Sequence, residues 1–457
     1  MRADSPERLS LARLAIFSLP MVIVATIETA WRVYLPSFFA SGFGLSLGMA
    51  GTLLMAARLF DSAIDPAIAW ASDRFPTRYG HRRPWLAASV PLVMLGALGV
   101  FFVWPWTNPA FLLAACLLLH LGYMMLVTPH GGWALEIAQD PAERLRVMGA
   151  KTWFAVAGMI AAVLLPAALE RGLGVGRQGQ VAALGAILLL LCPFVVFLVV
   201  RHVREPKLPR TRSAELANPL RLFAGIVRDP ALRPILLLYL FAGLAESASS
   251  ATFLFLVEGA LKLERWGSTL LLIQSSVMLA ALPLWSRLGA RVSGRRLLSL
   301  AYAGQMAIAP LALVLPAGSI ATAIPFLCLR GLFAGVDFMV LRAMVADVAR
   351  ETAASGLRHG ASCYSVSNIT LKLAMGGGTW FALAAIGVAS GPTFVAGDPD
   401  MQGMVVRVVY ALPPMIASAL GLLVLNADSR RSRCTETVAP PATAAPLYAM
   451  TGDAAAQ

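Results

Sequence analysis

Twelve apolar runs, each long enough to cross a bilayer as a helix, recur along the 457 residues, centred near positions 27, 59, 94, 123, 158, 191, 244, 277, 306, 334, 374 and 415. A spanning helix needs about 20 predominantly apolar residues. In lipid, backbone polar groups are satisfied only by helices or closed barrels. Barrel strands would read as short alternating segments, whereas these runs are long and continuous. The expected fold class is therefore an all-α membrane protein. Composition agrees, with 58% hydrophobic and 13% charged residues, where an ordinary soluble domain carries about 25% charged residues.

The order of the runs predicts the organisation. Six fall within 1–200, a basic stretch fills 201–230, six more fall within 231–426, and 427–457 is rich in Pro, Ala and Thr. The reading is an N-terminal six-helix bundle, a cytoplasmic linker, a C-terminal six-helix bundle and a disordered cytoplasmic tail. Paired halves around a midplane site are the architecture of secondary transporters. A short internal echo agrees: Trp133-Ala-Leu-Glu136-Ile-Ala-Gln-Asp140 closes the fourth run, and Met344-Val-Ala-Asp347-Val-Ala-Arg350-Glu351 closes the tenth.

Net charge is +13, and its placement is a topology signal. Arg74, Arg78, Arg82 and Arg83 follow the second run, Arg201, Arg204, Lys207, Arg210 and Arg212 open the central segment, and Arg287, Arg291, Arg295 and Arg296 follow the eighth. The connections near 42–46, 105–109 and 317–319 carry no basic residue. Arg- and Lys-rich short loops stay in the cytoplasm, so a multi-pass protein of the cytoplasmic (inner) membrane with both termini inside is expected. Charge distributed loop by loop, rather than on one face, argues against a nucleic-acid partner. The five cysteines are scattered without metal-type spacing and read as small apolar residues.

Against this background Asp61 and Asp65 stand out, four residues apart inside the second run. That spacing puts both on one helix face, about 6 Å apart along the axis. A carboxylate at the centre of a membrane helix costs about 2.5–3.5 kcal/mol on insertion scales. Intramembrane acids face cavities and serve ions or protons. The pair can chelate a small cation or share a proton. The competing structural reading pairs Asp61 with Arg58 and lets Asp65 cap a helix broken at Pro66.

Arg58-Leu-Phe-Asp61-Ser-Ala-Ile-Asp65-Pro66, continuing through Ser72-Asp73-Arg74 to Gly80-His-Arg82-Arg83-Pro84-Trp85, resembles the second span and following loop of the glycoside–pentoside–hexuronide:cation symporters, the melibiose-permease-like branch of the major facilitator superfamily. Gly44-Leu-Ser-Leu-Gly-Met-Ala-Gly51-Thr, Glu143-Arg144 and Tyr364-Ser-Val-Ser-Asn-Ile-Thr-Leu-Lys372 extend the match. The resemblance implies a twelve-helix major facilitator fold with two pseudo-symmetric halves, and cation-binding roles for Asp61 and Asp65. It places Lys151, where the family usually has Arg, and Lys372 near the sugar and cation sites, and Trp133 in the sugar pocket. It also implies gating charge pairs around the loop after the second span, namely Asp73, Arg74, Arg82 and Arg83 with Glu136, Arg144 and Arg358. The sequence departs from the family at three places. Ile64 stands where some members hold sodium with an amide or hydroxyl, and the sugar-gripping acids fall near Ala25 and Pro129. A proton is therefore the expected coupling ion in preference to sodium, and no cofactor is expected.

Further buried polar residues have two readings each. Glu28 can line the pocket or neutralise Arg32 four residues on, and His130 can relay protons or pack. Glu136 can gate against a basic residue of the other half or sit as a solvated helix-end charge, and Glu246 can contact substrate or pack among serines. Lys372 has no acid within one turn of its own helix and needs a partner from another span. Arg330, Asp337 and Arg342 can pair among themselves. The expected function is cation-coupled symport of a sugar or glycoside-like solute by a monomer in contact with membrane lipid. The alternatives are a carrier of lysolipid or another amphiphile, and a non-transporting assembly factor on the same scaffold. Catalysis is not expected, since the acids and histidines form neither metal-type clusters nor a nucleophile arrangement.

Overall fold

The computed structural model describes residues 9–75, 77–137, 141–205, 232–289, 291–354, 360–390 and 399–438. Among them twelve helices are long and apolar enough to cross a membrane: span 1 (Leu11–Ser41), span 2 (Leu47–Ser72), span 3 (Arg83–Phe101), span 4 (Pro109–Ala134), span 5 (Arg146–Gly172), span 6 (Arg177–His202), span 7 (Arg233–Ala260), span 8 (Gly267–Gly289), span 9 (Gly294–Val314), span 10 (Ile320–Val348), span 11 (Ser365–Ala389) and span 12 (Gln402–Ala427). Each expected centre falls inside one of them. No strand occurs among the described residues, which hold only an isolated bridge between Thr77 and Gly80.

Local chemistry sets the helix ends and breaks. Ser10 and Ser46 cap spans 1 and 2 by accepting from the amides of Arg13 and Met49, which satisfies donors that a helix start leaves orphaned. Prolines occupy the first turns of spans 3 and 7, where the missing N–H removes no helical bond. Span 10 breaks between Phe333 and Val336, and Gly335 there has φ +76°, a conformation open to glycine. Asp337, in the first turn of the next segment, accepts from the Phe338 amide at 3.0 Å. Spans 1 and 7, the first helix of each half, both contain a π-helical turn, at Ala30–Tyr34 and Phe255–Ala260. That shared irregularity is a structural counterpart to the sequence echo.

Because successive spans alternate in direction, the bundle has a linker face, where span 1 begins and span 6 ends, and an opposite far face. One apolar core fills the first half and continues through Phe253, Leu256, Leu270, Phe326, Leu383 and Tyr410 of the second. These lie toward the far-face ends of their spans, so the halves share a core there. Toward the linker face the second half has a separate core containing Leu232, Trp285, Leu297, Val345 and Leu425. The expected linker falls almost wholly on 206–231, outside the described residues. The last helix runs Pro399–Val438, so the first residues expected as a disordered tail are helical, and 439–457 lie outside the described residues.

Candidate functional site

Span 2 carries Arg58, Asp61 and Asp65 on the face turned toward spans 1, 4 and 11. Their side chains join a ladder of alternating charge that runs between the two halves. Asp65 Oδ2 lies 3.0 Å from Lys372 Nζ of span 11. The same ammonium stands 3.6 Å from Asp61 Oδ2. Asp61 Oδ2 is also 3.6 Å from Arg58 Nη1. Arg58 then grips Glu28 of span 1 with both terminal nitrogens, at 2.8 and 3.2 Å, the bidentate geometry that makes such pairs strong. Tyr123 of span 4 donates to Glu28 at 2.8 Å, and Thr128 of span 4 donates to Asp65.

Burial differs along the ladder. The Asp61 side chain is fully buried and that of Asp65 is 32% exposed. Neither Asp61 oxygen has a hydrogen-bond partner. A buried carboxylate held by charge at 3.6 Å, with its acceptor positions unfilled, is an arrangement proteins rarely leave without use. It can take a proton or a small cation. Asp65, more open and bonded to Thr128, has oxygen ligands to add on the same helix face. The expected pairing of Asp61 with Arg58 is present, with Lys372 at the same oxygen, but the helix runs unbroken from Leu47 to Arg74 through Pro66, so Asp65 caps no helix break. Glu28 does not bond to Arg32 directly; its strongest partner is Arg58.

Close approach makes the ladder reachable from span 11. A Cβ at Gly376 would meet Met55 Sδ at 2.8 Å and Arg58 Cβ at 3.1 Å, and one at Gly378 would meet Leu244 O at 2.3 Å and Ser247 Oγ at 2.2 Å. Small residues at such crossings let membrane helices pack backbone to backbone, and here they bring Lys372 to span 2.

The other expected site residues have different surroundings. His130 is buried and donates to the Phe17 carbonyl at 2.7 Å. Trp133 is fully buried and edge-on to Phe17 at 5.5 Å, packed between spans 1 and 4 and away from the ladder. Lys151 is half-buried beside His130, and Glu246 is half-buried and accepts from Ser250 at 3.2 Å. At the linker face Arg82 donates to Glu136 at 3.0 Å and to Ser72 at 2.7 Å, all within the first half. Glu136 therefore meets its basic partner in its own half. Backbone amides of His81 and Arg82 donate to Glu205 at 2.7 and 2.9 Å, and Arg83 donates to the Val203 carbonyl. This ties the loop after span 2 to the end of span 6. Arg74 is exposed over the Trp70 ring at 5.5 Å, and Arg144 is exposed. The Asp73 side chain and Arg358 lie outside the described residues. Arg330 stacks over Tyr410 at 5.1 Å.

Sequence reasoning missed a polar seal between the halves at the far face. Arg177 of span 6 pairs with Glu258 of span 7. Glu170 of span 5 accepts from the amides of Ser268 and Thr269 at 3.2 and 2.9 Å, and from the Thr269 hydroxyl at 2.9 Å. Arg171 lies over the Trp266 ring. In sequence these charges flank short turns and read as helix-end charges. Only the meeting of spans 5 and 6 with spans 7 and 8 gives them a shared role.

Residues 16–426 match the family model described as MFS/sugar transport protein. The chain belongs to that family. Within it, the glycoside–pentoside–hexuronide symporter branch agrees with the names of similar proteins. The inner membrane symporter YicJ of Escherichia coli is 27% identical over 196 residues, covering 40% of this chain and 41% of that protein. The putative glycoside/cation symporter YagG of E. coli is 31% identical over 169 residues, covering 34% and 36%. The E. coli glucuronide carrier protein homolog is 28% identical over 123 residues, covering 26% and 27%. The chain thus spans about two fifths or less of the length of these relatives. Among solved structures, the nucleoside transporter NupG (D323A mutant) superposes with a TM-score of 0.68 at 12% identity, over 90% of this chain and 99% of that one. A bacterial homologue of the human peptide transporters PepT1 and PepT2 gives 0.65 at 11% identity, over 93% and 100%. At such identity these two matches establish the major facilitator fold alone.

Proposed function

We propose that this family member is a cation-coupled symporter of a sugar or glycoside-like solute in the cytoplasmic membrane, working as a monomer by alternating access, with a proton as its coupling ion. The observation that carries the reading is the Lys372 ammonium lodged between Asp61 and Asp65, 3.6 and 3.0 Å away. A tethered cation already offsets one of the pair's two negative charges, so an incoming cation or proton competes with it. Loading at Asp65 frees Lys372 and loosens the contact between spans 2 and 11, which belong to opposite halves. Binding is thereby coupled to the separation of the halves. The shared core and polar seal at the far face, with separate cores toward the linker face, support a conformation closed on the far side. By the distribution of basic loops the linker face is cytoplasmic. The names of the relatives, glycoside/cation symporter and glucuronide carrier homolog, support a sugar-like cargo, and a family of transporters supports a role without catalysis.

Asp65→Asn is expected to abolish uphill accumulation in membrane vesicles while leaving expression and facilitated exchange intact. Unchanged concentrative uptake would remove Asp65 from the coupling role. With a proton as coupling ion, adding substrate to de-energised cells alkalinises the medium whether or not sodium is present. A strict sodium requirement would overturn that choice of ion.

A further inference from the structure

Outside the ladder the second half buries an acid that no cation neutralises. Asp337 lies in the first turn of the second segment of span 10, just past the break at Gly335, and is 5% exposed. No cationic side chain among the described residues forms an ion pair with it. Arg330, before the break, lies over the Tyr410 ring, and Arg342 is exposed. The mutual pairing of Arg330, Asp337 and Arg342 that the sequence allows is therefore not made. Spans 7, 9 and 11 pack against this segment. Span 11 carries Lys372, which stands between Asp61 and Asp65. Span 7 brings Tyr239 to the same core and presents Glu246, the charged side chain that acts on Asp337 most strongly and itself an acid.

Span 9 supplies a second orphan. Tyr302 is 2% exposed, its hydroxyl has no hydrogen-bond partner, and the charge that acts on it is that of Asp337. Both the Phe338 amide and the start of the segment favour negative charge at Asp337. One amide does not replace the water shell of a carboxylate, and a buried acid without a counter-charge takes up a proton instead. A protonated carboxyl and a phenol can each donate and accept, so neutral groups suit this corner of the core.

The break offers a way to unload the site. Gln305 of span 9 donates to the Phe333 carbonyl at 3.1 Å, and Trp285 of span 8 donates to that of Leu332 at 2.7 Å. Side chains of other spans thus partner the carbonyls that end the first segment. Val336, Val340 and Val345 anchor the second segment in the linker-side core that also holds Tyr302. Between the two segments Gly335 has φ +76°, where the main chain can turn without a Cβ. Interrupted spans are where transporters place ion sites.

We infer that Asp337 is a second proton-binding site, separate from the Asp61/Asp65 cluster, and that span 10 bends at Gly335 to release its proton. The carboxyl O–H bond breaks, the proton passes to water and the carboxylate keeps the electron pair. A charge left beside Glu246 in the core is uncompensated, so emptying the site favours a conformation in which Asp337 reaches water. This goes beyond the carrier reading above and requires neither its cargo nor a proton at Asp61 or Asp65.

The test uses the purified full chain. Infrared spectra at neutral pH are expected to show the C=O stretch of a protonated carboxyl that moves to lower frequency in D2O. Asp337→Asn is expected to remove that component, and Asp61→Asn and Asp65→Asn to leave it in place. A carboxyl band unchanged by Asp337→Asn would overturn the site. Raising the pH is expected to exchange the component for carboxylate absorption and to speed deuterium uptake across residues 332–338, beyond the change in intrinsic exchange rate, in the unaltered protein and not in Asp337→Asn. Equal uptake in the two would overturn the link between proton release and bending. Should Asp337→Asn fail to fold, Asp337→Glu decides: a component that shifts in frequency upholds the assignment, and an unshifted one overturns it. A band assigned to Asp337 upholds the site whatever the accumulation test on Asp65→Asn returns.

Discussion

At the scale of single residues, the central question is how a membrane interior tolerates the charges of the ladder. Arg58 is the hub, bonded to Glu28 and close to Asp61, and its own side chain is only 6% exposed. Removing one partner of a buried pair strands the other and costs about 3–5 kcal/mol, whereas replacing both by apolar groups of similar volume is often neutral. Glu28→Gln and Arg58→Leu are therefore each expected to lower the melting temperature sharply in detergent, and the double variant Glu28→Leu/Arg58→Met to recover most of it. A double variant as unstable as the sum of the singles would mean that the two residues do not act as a pair. Tyr123→Phe removes one hydrogen bond to Glu28, a loss of about 1.5–3 kcal/mol for a bond to a charged group. At this scale the sequence was partly legible. Asp61 and Asp65 stood out because an acid in an apolar run is costly whatever surrounds it. Arg58 was visible only as a local partner of Asp61, because its bond to Glu28 crosses from span 2 to span 1. Trp133 and His130 were visible as residue types, but their burial against Phe17 depends on how spans 1 and 4 pack.

At the scale of helices, the twelve spans were legible because spanning length and hydropathy are local properties of the chain. Crossing points are not local. Gly376-Gly-Gly378 is a uniform run in sequence, yet its three members have unlike surroundings. A Cβ at Gly378 would stand 2.3 Å from the Leu244 carbonyl, while at Gly377 its nearest neighbour is a Leu244 methyl at 3.5 Å. Gly377→Ala is thus expected to express and transport like the unaltered protein. Gly378→Ala should push spans 7 and 11 apart, lowering thermal stability and transport together. Equal tolerance of the two substitutions would show that the crossing is looser than these distances imply. The π turns of spans 1 and 7 were not among the features read from the sequence.

At the scale of the whole molecule, the two halves are held together where the far-face seal and the shared core coincide. Arg177 bridges to Glu258, and Glu170 receives both amides at the start of span 8. On the alternating-access reading proposed above, these contacts belong to the far-closed state, and a change that weakens them is expected to act on the equilibrium between the two openings before it acts on folding. Loss of one such charged contact, at about 1–3 kcal/mol, shifts a two-state ratio by about five- to 150-fold. Spin labels on cysteines at Leu173 and Val314, both exposed and on opposite halves near the far face, would report the opening in a background with the five native cysteines replaced. Glu258→Gln and Glu170→Gln are expected to move the distance distribution toward longer separations, and the two together to move it further than either alone. The same variants should leave the Asp61–Lys372–Asp65 cluster intact, since it lies on other spans, so on the coupling role proposed above ion binding should be altered only through the change in conformational ratio. A distribution unmoved by either variant would assign the closure of the far face to the apolar core, with the polar seal as its consequence.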